Sequence, residues 1–391
     1  MSAAFARLWA EIAPIGRETN GGYLRYALSE PELMLRDWFR DQADRRAMTV
    51  TEDGNGNLFA WWGTPWAPGT VLTGSHFDSV PHGGGYDGPL GIVSAFLAVD
   101  LLRERGMAPA RPIGVAAFVE EEGGRFGVPC LGSRLMTGAI DPDRAAALRD
   151  RDGVTFGEAL GARPAGAQPL LASRVAAVVE LHIEQGRALE VPVGVASAIW
   201  PHGRWRMDFT GDGDHAGTTR MIDRHDPMLT FAHTVLAADR EARLAGAHAT
   251  IGRVSVEPNA TNAIPSLVRG WLDARAADTP TMERLVEAVV KQAVERAGQD
   301  GTQVSVEPES VSPEVAFDTS LAARLSALLG GAPILPTGAG HDAGVLSAHV
   351  PTAMLFVRNP TGVSHAPAEH ASDEDCGAGV EALAAVLAEL T

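Results

Sequence analysis

The sequence predicts an α/β protein, a mostly parallel sheet covered by helices on both faces, with an inserted α+β domain of ferredoxin-like plan. Three observations lead there. Short, continuous apolar strands alternate with amphipathic helices up to residue 199, the pattern of strands buried on both faces. From residue 200 to 308 the order becomes β-α-β-β-α-β, one antiparallel sheet with two helices on a single face. Strand-helix alternation resumes over 309–391, so the middle domain interrupts one already under way.

Taken in order, residues 30–43 form an amphipathic helix with Leu33, Leu35, Trp38 and Phe39 as its apolar positions. Residues 71–73 are a short buried strand. Residues 91–105 place Ile92, Phe96, Val99 and Leu102 at helical spacing and stop before Gly106, which suits the left-handed position past a helix end. Residues 113–119 are a continuous apolar strand, and 178–186 hold an apolar strand that delivers His182. Residues 139–163 lack an apolar period and are expected to be a solvated connection around a short helix. In the inserted domain, 204–210, 249–256, 267–274 and 303–306 are strands, and 226–244 and 282–297 are helices. A helix over 320–329, a strand over 352–357 and a helix over 376–390 close the chain.

The length of 391 residues suits two domains. Thirty-two basic against forty-nine acidic residues give 32 − 49 = −17, which disfavours a nucleic-acid backbone as partner. Cys130 and Cys376 are far apart and in no CxxC spacing, so two reduced thiols are expected rather than a disulfide or a cysteine zinc site. The first residues include Glu11 and no long apolar run, and no run approaches the ~18 apolar residues of a membrane span. The expectation is a cytoplasmic protein that neither enters a membrane nor binds nucleic acid.

Histidines and carboxylates gather at expected strand ends. His76 closes the first apolar strand in Gly74-Ser75-His76-Phe77-Asp78, and Asp87 follows across a glycine-rich turn. Glu120-Glu121-Glu122 follows the strand ending at Val119, His182 sits in Val178-Val179-Glu180-Leu181-His182-Ile183, and His365 follows the strand ending at Val357. Any one histidine alone is more often structural. Three adjacent glutamates repel one another, however, and a bound cation reverses the sign of that interaction. Imidazole and carboxylate together suit a borderline divalent metal.

In this order, and over nearly the whole length, the motifs resemble the M20 metallopeptidase family in its amidohydrolase (hydantoinase/carbamoylase) branch. The resemblance implies two divalent ions, zinc, manganese, cobalt or nickel, bridged by Asp87. His76 and His182 would complete the first, Glu122 and His365 the second. Glu121 would be the general base, although the third carboxylate at Glu120 leaves a shifted register open. Asp78 would orient the His76 ring. In the insert, Asp214-His215-Ala216-Gly217-Thr218-Thr219 presents His215 to the carbonyl oxygen or its tetrahedral anion, and Asn262 and Arg275 resemble a carboxylate-binding pair. Gln185 and the loop of Gly338 and Ala339 would touch the ureido end, while His341-Asp342 is expected to support that loop rather than bind metal.

The activity so implied is hydrolysis of the ureido C–N bond of a small carboxylate, first of all allantoate, to ureidoglycine, ammonia and carbon dioxide. N-carbamoyl-L-amino acids and N-carbamoyl-β-alanine are the alternatives. A homodimer is expected in which one lid lends His215, and with it Asn262, to the partner's site. An aminoacylase or dipeptidase of the same fold is disfavoured by Glu184-Gln185-Gly186 and the 338–343 loop, and a catalytically dead binding protein by the complete set of ligands and base. Arg220-Met221 stands where many relatives have Pro-Met, and Ala366 where many have Ser.

Overall fold

Mainly apolar strands are covered on both sides, and four such buried strands form the middle of a nine-stranded sheet. Ile113–Phe118, Thr70–His76, Val175–Ile183 and Thr352–Val357 lie side by side in that order, all parallel. Leu58–Trp62 pairs antiparallel outside Ile113–Phe118, and Val193–Ile199 antiparallel outside Thr352–Val357. The computed structural model describes all 391 residues, in two compact units: Met1–Ala198 with Ala316–Thr391, and Ile199–Val315.

In the sheet unit, the helices Ser2–Ile12, Pro89–Glu104 and Asp373–Leu390 share one core with the sheet, built from Phe5, Phe96, Leu102, Val380 and Leu383. Phe59, Trp61, Leu72, Phe118 and Leu346 pack in a separate cluster. The helix Glu30–Arg45 buries Leu35, Trp38, Phe39 and Gln42, an i, i+3, i+4, i+7 stripe. Leu33 lies off that stripe and is 46 % exposed, so it is not one of the core positions expected of it. The 139–163 connection holds two short helices, Pro142–Ala146 and Phe156–Leu160, the latter closed at its start by a Thr155–Glu158 capping box. The helix Ser2–Ile12 and the hairpin of Thr49–Glu52 with Leu58–Trp62 are additions to the elements expected from sequence.

The inserted unit is a four-stranded antiparallel sheet ordered Gln303–Ser312, His202–Thr210, Leu267–Arg275, His248–Glu257. Its helices Pro227–Ala245 and Thr279–Asp300 bury Ala238, Leu285 and Val289 against Met207, Phe209 and Leu272. The last strand runs six residues beyond the expected end at 306. Glu307, Pro308, Glu309 and Ser310 carry no apolar face, and pairing with the start of His202–Thr210 extends the strand instead. The chain therefore returns to the first unit at 315/316 rather than 308/309, and leaves it at 198/199. No helix is long and apolar enough to cross a membrane.

Candidate metal centre

Parallel strands present their functional side chains beyond their C-terminal ends, and all four parallel strands do so at one place. His76 is the last residue of Thr70–His76, and Asp87 lies in the loop that follows. Glu121 and Glu122 come just after Ile113–Phe118, His182 is next to last in Val175–Ile183, and His365 follows Thr352–Val357. Asp87 stands between two groups. Its Oδ1 lies 3.6 Å from His76 Nε2 and 3.2 Å from His182 Nε2. Its Oδ2 lies 3.3 Å from His365 Nε2, which is also 3.3 Å from Glu122 Oε2. Each group has ligand atoms close enough together to hold a metal ion.

The imidazoles are aimed by the backbone. His182 Nδ1 donates to the Ile183 carbonyl at 2.8 Å and His76 Nδ1 to the Asp78 carbonyl at 3.0 Å. A carbonyl only accepts, so the proton sits on Nδ1 and the Nε2 lone pair faces the centre. His76 Nε2, His182 Nε2 and Asp87 Oδ2 are buried without a hydrogen-bond partner, a costly arrangement that a cation relieves. Gly88, at φ +86°, fits because a Cβ there would meet His76 Cε1 at 2.5 Å.

Asp78 acts differently from the expectation. Its carbonyl orients His76, while its carboxylate accepts from Glu121 N at 3.2 Å and Glu122 N at 3.1 Å. The acidic triplet is a turn, not an extended segment, with Glu120 at φ +55°. Its three side chains diverge accordingly. Glu120 accepts from Arg125 N and Phe126 N within its own loop, whereas Glu121 Oε2 lies 3.6 Å from His76 Nε2.

Charge is unbalanced here. Burial pushes Glu121 well above the usual carboxylate range, with His76 opposing and the Asp342, Glu122 and Asp87 carboxylates adding to the rise. Asp87, despite its burial, is held well below that range by the His182, His365 and His76 rings. His365 is pushed up to about 11 by Asp87 and then Glu122. Protons are thus drawn to the positions that cations would take.

Three supporting residues carried no signal in the sequence. Glu369 Oε1 accepts from Tyr86 N and Asp87 N, both at 3.0 Å, and so fixes the Asp87 loop. Buried Asn359 donates to the Val363 carbonyl at 2.8 Å and accepts from Thr361 N and Gly362 N, shaping the turn that leads to His365. The Cys130 thiol donates to Glu121 Oε1 at 3.5 Å. Glu369 acts across 282 residues and Asn359 also donates to the Glu184 carbonyl, whereas Cys130 and Glu121 meet within one loop.

The other expected residues fall in two places. In the sheet unit, Gln185 accepts from the Ser364 hydroxyl next to His365, and its Nε2 is buried and unpartnered. Gly338 and Ala339 form the turn between Ile334–Thr337 and Asp342–Leu346, with Ala339 N donating to Thr337 Oγ1 at 3.1 Å. Asp342 accepts from Ser133 Oγ. In the inserted unit, His215 and Asn262 are neighbours: Asp214–His215 pairs with Ala263–Ile264, and Ala216 N donates to the Asn262 carbonyl at 2.9 Å. Gly217 N donates to His215 Nδ1 at 3.0 Å, so the neutral ring carries its proton on Nε2. Arg275 ends the Leu267–Arg275 strand, with its Nε donating to Asp273 at 2.9 Å. Arg220 pairs with Asp223 at 2.6 Å beside the exposed Met221.

Residues 72–389 match the description of peptidase family M20/M25/M40. An N-carbamoyl-L-amino acid amidohydrolase of Geobacillus stearothermophilus is 35 % identical over 96 % of this chain and 96 % of its own. An allantoate amidohydrolase of Escherichia coli K12 is 31 % identical over 97 % of this chain and 95 % of its own. A solved amidase of the hydantoinase/carbamoylase family from Burkholderia vietnamiensis has a TM-score of 0.88 at 29 % identity, covering 100 % of this chain and 97 % of its own. AtUAH in complex with (S)-hydroxyglycine has a TM-score of 0.87 at 28 % identity, with 100 % and 97 % covered. The likeness takes in both units and the strand ends where the histidines and carboxylates converge, and the chain belongs to peptidase family M20/M25/M40, in its hydantoinase/carbamoylase amidohydrolase branch.

Proposed function

We propose that this chain is a dinuclear-metal hydrolase of the ureido C–N bond of a small carboxylate, with allantoate as its substrate, acting as a cytoplasmic homodimer. The observation that supports it most is Asp87, with one carboxylate oxygen toward His76 and His182 and the other toward Glu122 and His365. Two divalent cations bound there supply Lewis-acid polarisation of the ureido carbonyl and acidify the attacking water. Glu121, buried and therefore inclined to hold a proton, takes one from that water and delivers it to the departing nitrogen. His215 donates from Nε2 to the tetrahedral oxyanion. Arg275 grips the carboxylate with its planar fork, held in place by Asp273, and Asn262 adds an amide donor. Gln185 and the Gly338–Ala339 turn hold the ureido end.

The positions of Asn262 and Arg275 support the dimer. Arg275 ends the strand Leu267–Arg275, whereas Asn262 lies in the segment before that strand begins, and the strand itself is about 26 Å long at about 3.3 Å per step. A small carboxylate does not span a strand of that length, which supports the reading that the two residues reach one substrate from different copies. A second substrate reading, an N-carbamoyl-L-amino acid, is favoured by the 35 % identity to an enzyme of that name. Ammonia release by enzyme reconstituted with zinc, manganese or cobalt, from allantoate, N-carbamoyl-L-amino acids and N-carbamoyl-β-alanine, beside release of free amino acid from a dipeptide, tests the assignment. Allantoate is expected to give the highest kcat/KM. A higher value for a carbamoyl amino acid would replace the substrate and keep the chemistry, and activity confined to the dipeptide would sink both.

A further inference from the structure

His341 has no part in the reaction above, yet it lies beside the centre. It is 3 % exposed, and neither ring nitrogen has a hydrogen-bond partner. Its ring centroid stands 4.4 Å from that of His182. It occupies the position before the helix Asp342–Leu346 without capping it, so local structure does not account for its orientation. Glu180 precedes His182 by two residues on the strand Val175–Ile183 and so shares its face. Ser75 Oγ donates to Glu180 Oε1 at 2.8 Å and Ala343 N to Oε2 at 2.9 Å, which fixes the carboxylate and leaves each oxygen a further lone pair.

We propose that Glu180, His182 and His341 form a third divalent-cation position, and that filling it inhibits the enzyme. Their ligand atoms lie within 4.8 Å of one another, and bond lengths of about 2.0–2.2 Å to nitrogen and oxygen would draw them together to about 3–4 Å. One carboxylate and two imidazoles suit the same borderline cations as the main centre. The inhibition follows from His182. Its Nδ1 is committed to the Ile183 carbonyl, so it has one lone pair to give, at Nε2, and that lone pair also faces Asp87. A cation on the Glu180–His341 side takes His182 from the first position and leaves the ion there with His76 and Asp87 alone. The third cation therefore binds more weakly than the first two and acts only in excess.

This inference rests on the dinuclear reading, and a cobalt titration separates the two. Chelator-stripped protein is titrated with Co²⁺, with cobalt bound per protomer measured by equilibrium dialysis, the d–d absorption recorded, and ammonia release assayed. Wild type is expected to reach maximal activity at two equivalents. It should then take up a third, with a change in the visible band and a fall in activity. His341→Ala and His341→Gln should keep two equivalents and the activity they support, and require at least ten-fold more Co²⁺ for the third. The glutamine variant, checked by its thermal melt, guards against misfolding of the alanine one. If both folded variants lose activity at the same Co²⁺ concentration as wild type, or if wild type never binds a third equivalent, the position does not exist. A buried water bridging His341 would give that outcome. Wild type that binds no cobalt at all would overturn the dinuclear reading along with it.

Discussion

Glu121 and Glu122 are adjacent in the chain yet face different partners, His76 for the first and His365 for the second, and this divergence supports their separate roles. Glu121→Gln should keep both cations and lose about 10²–10⁴-fold in kcat, the usual scale for a general base. Glu122→Gln should instead lose a cation, and metal analysis beside steady-state kinetics reads both. If Glu121→Gln sheds the cation and Glu122→Gln keeps it, the roles exchange. Acid-base behaviour gives a second expectation. Glu120, Asp342 and Glu369 are each pushed up to about 8, chiefly by burial, from ordinary values of 4.5, 3.8 and 4.5. Between those values and pH 8 the folded, cation-free protein holds protons that the unfolded chain has released, so its stability falls as pH rises through that window. Cation binding grows stronger over the same range as protons leave the ligands. The gap in Tm between metal-loaded and chelated protein should widen from pH 5 to pH 8, and a gap that narrows in thermal melts would contradict this.

At the scale of elements, the centre depends on loops held by residues remote in sequence. Glu369 fixes the Asp87 loop across a separation of 282 residues, through two backbone donors that no side-chain spacing reports. Glu369→Ala should weaken cation affinity by about 10–100-fold, the range for a residue that orients a ligand. Glu369→Gln keeps a carbonyl acceptor and should recover part of it. Competition with a chromogenic chelator measures both, and an unchanged affinity in the alanine variant would show that the loop holds its shape unaided. The acidic triplet teaches the same lesson. On an extended segment its side chains would alternate, but Asp78 accepts both Glu121 N and Glu122 N and folds the segment into a turn, which withdraws Glu120 into its own loop.

At the scale of the whole molecule, the inserted unit carries His215, Asn262 and Arg275, and its outer strand His248–Glu257 has a free edge and is largely exposed. Such an edge invites pairing with a second copy. Co-expressed His215→Ala and Glu121→Ala subunits, each inactive alone, should regain part of the activity as a mixed dimer if His215 serves the partner's centre. No recovery in a verified heterodimer would place His215 in its own chain's reaction.

The sequence alone determined the elements whose signal is local and periodic: the apolar strands at 113 and 352, the helices expected over 91–105 and 226–244, and the β-α-β-β-α-β order of the insert. It also put the histidines and carboxylates at strand ends, because those ends can be found from hydropathy and these residue types are scarce in apolar surroundings. Its expectation for Leu33 failed because a single apolar residue does not reveal which stripe of a helix faces the core, and its boundary at 308 failed because backbone pairing extends a strand through residues with no apolar face. Tertiary structure decided what depends on distance through space. The parallel alignment of four strands brings Asp87 between two pairs of ligands, backbone carbonyls choose the imidazole nitrogen that faces inward, and Glu369, Asn359 and Cys130 become supports. Glu369 and Asn359 bond to backbone groups that every residue carries, and side chains such as Cys130 and Glu121 meet only once their loop is folded, so residue type alone does not report these contacts.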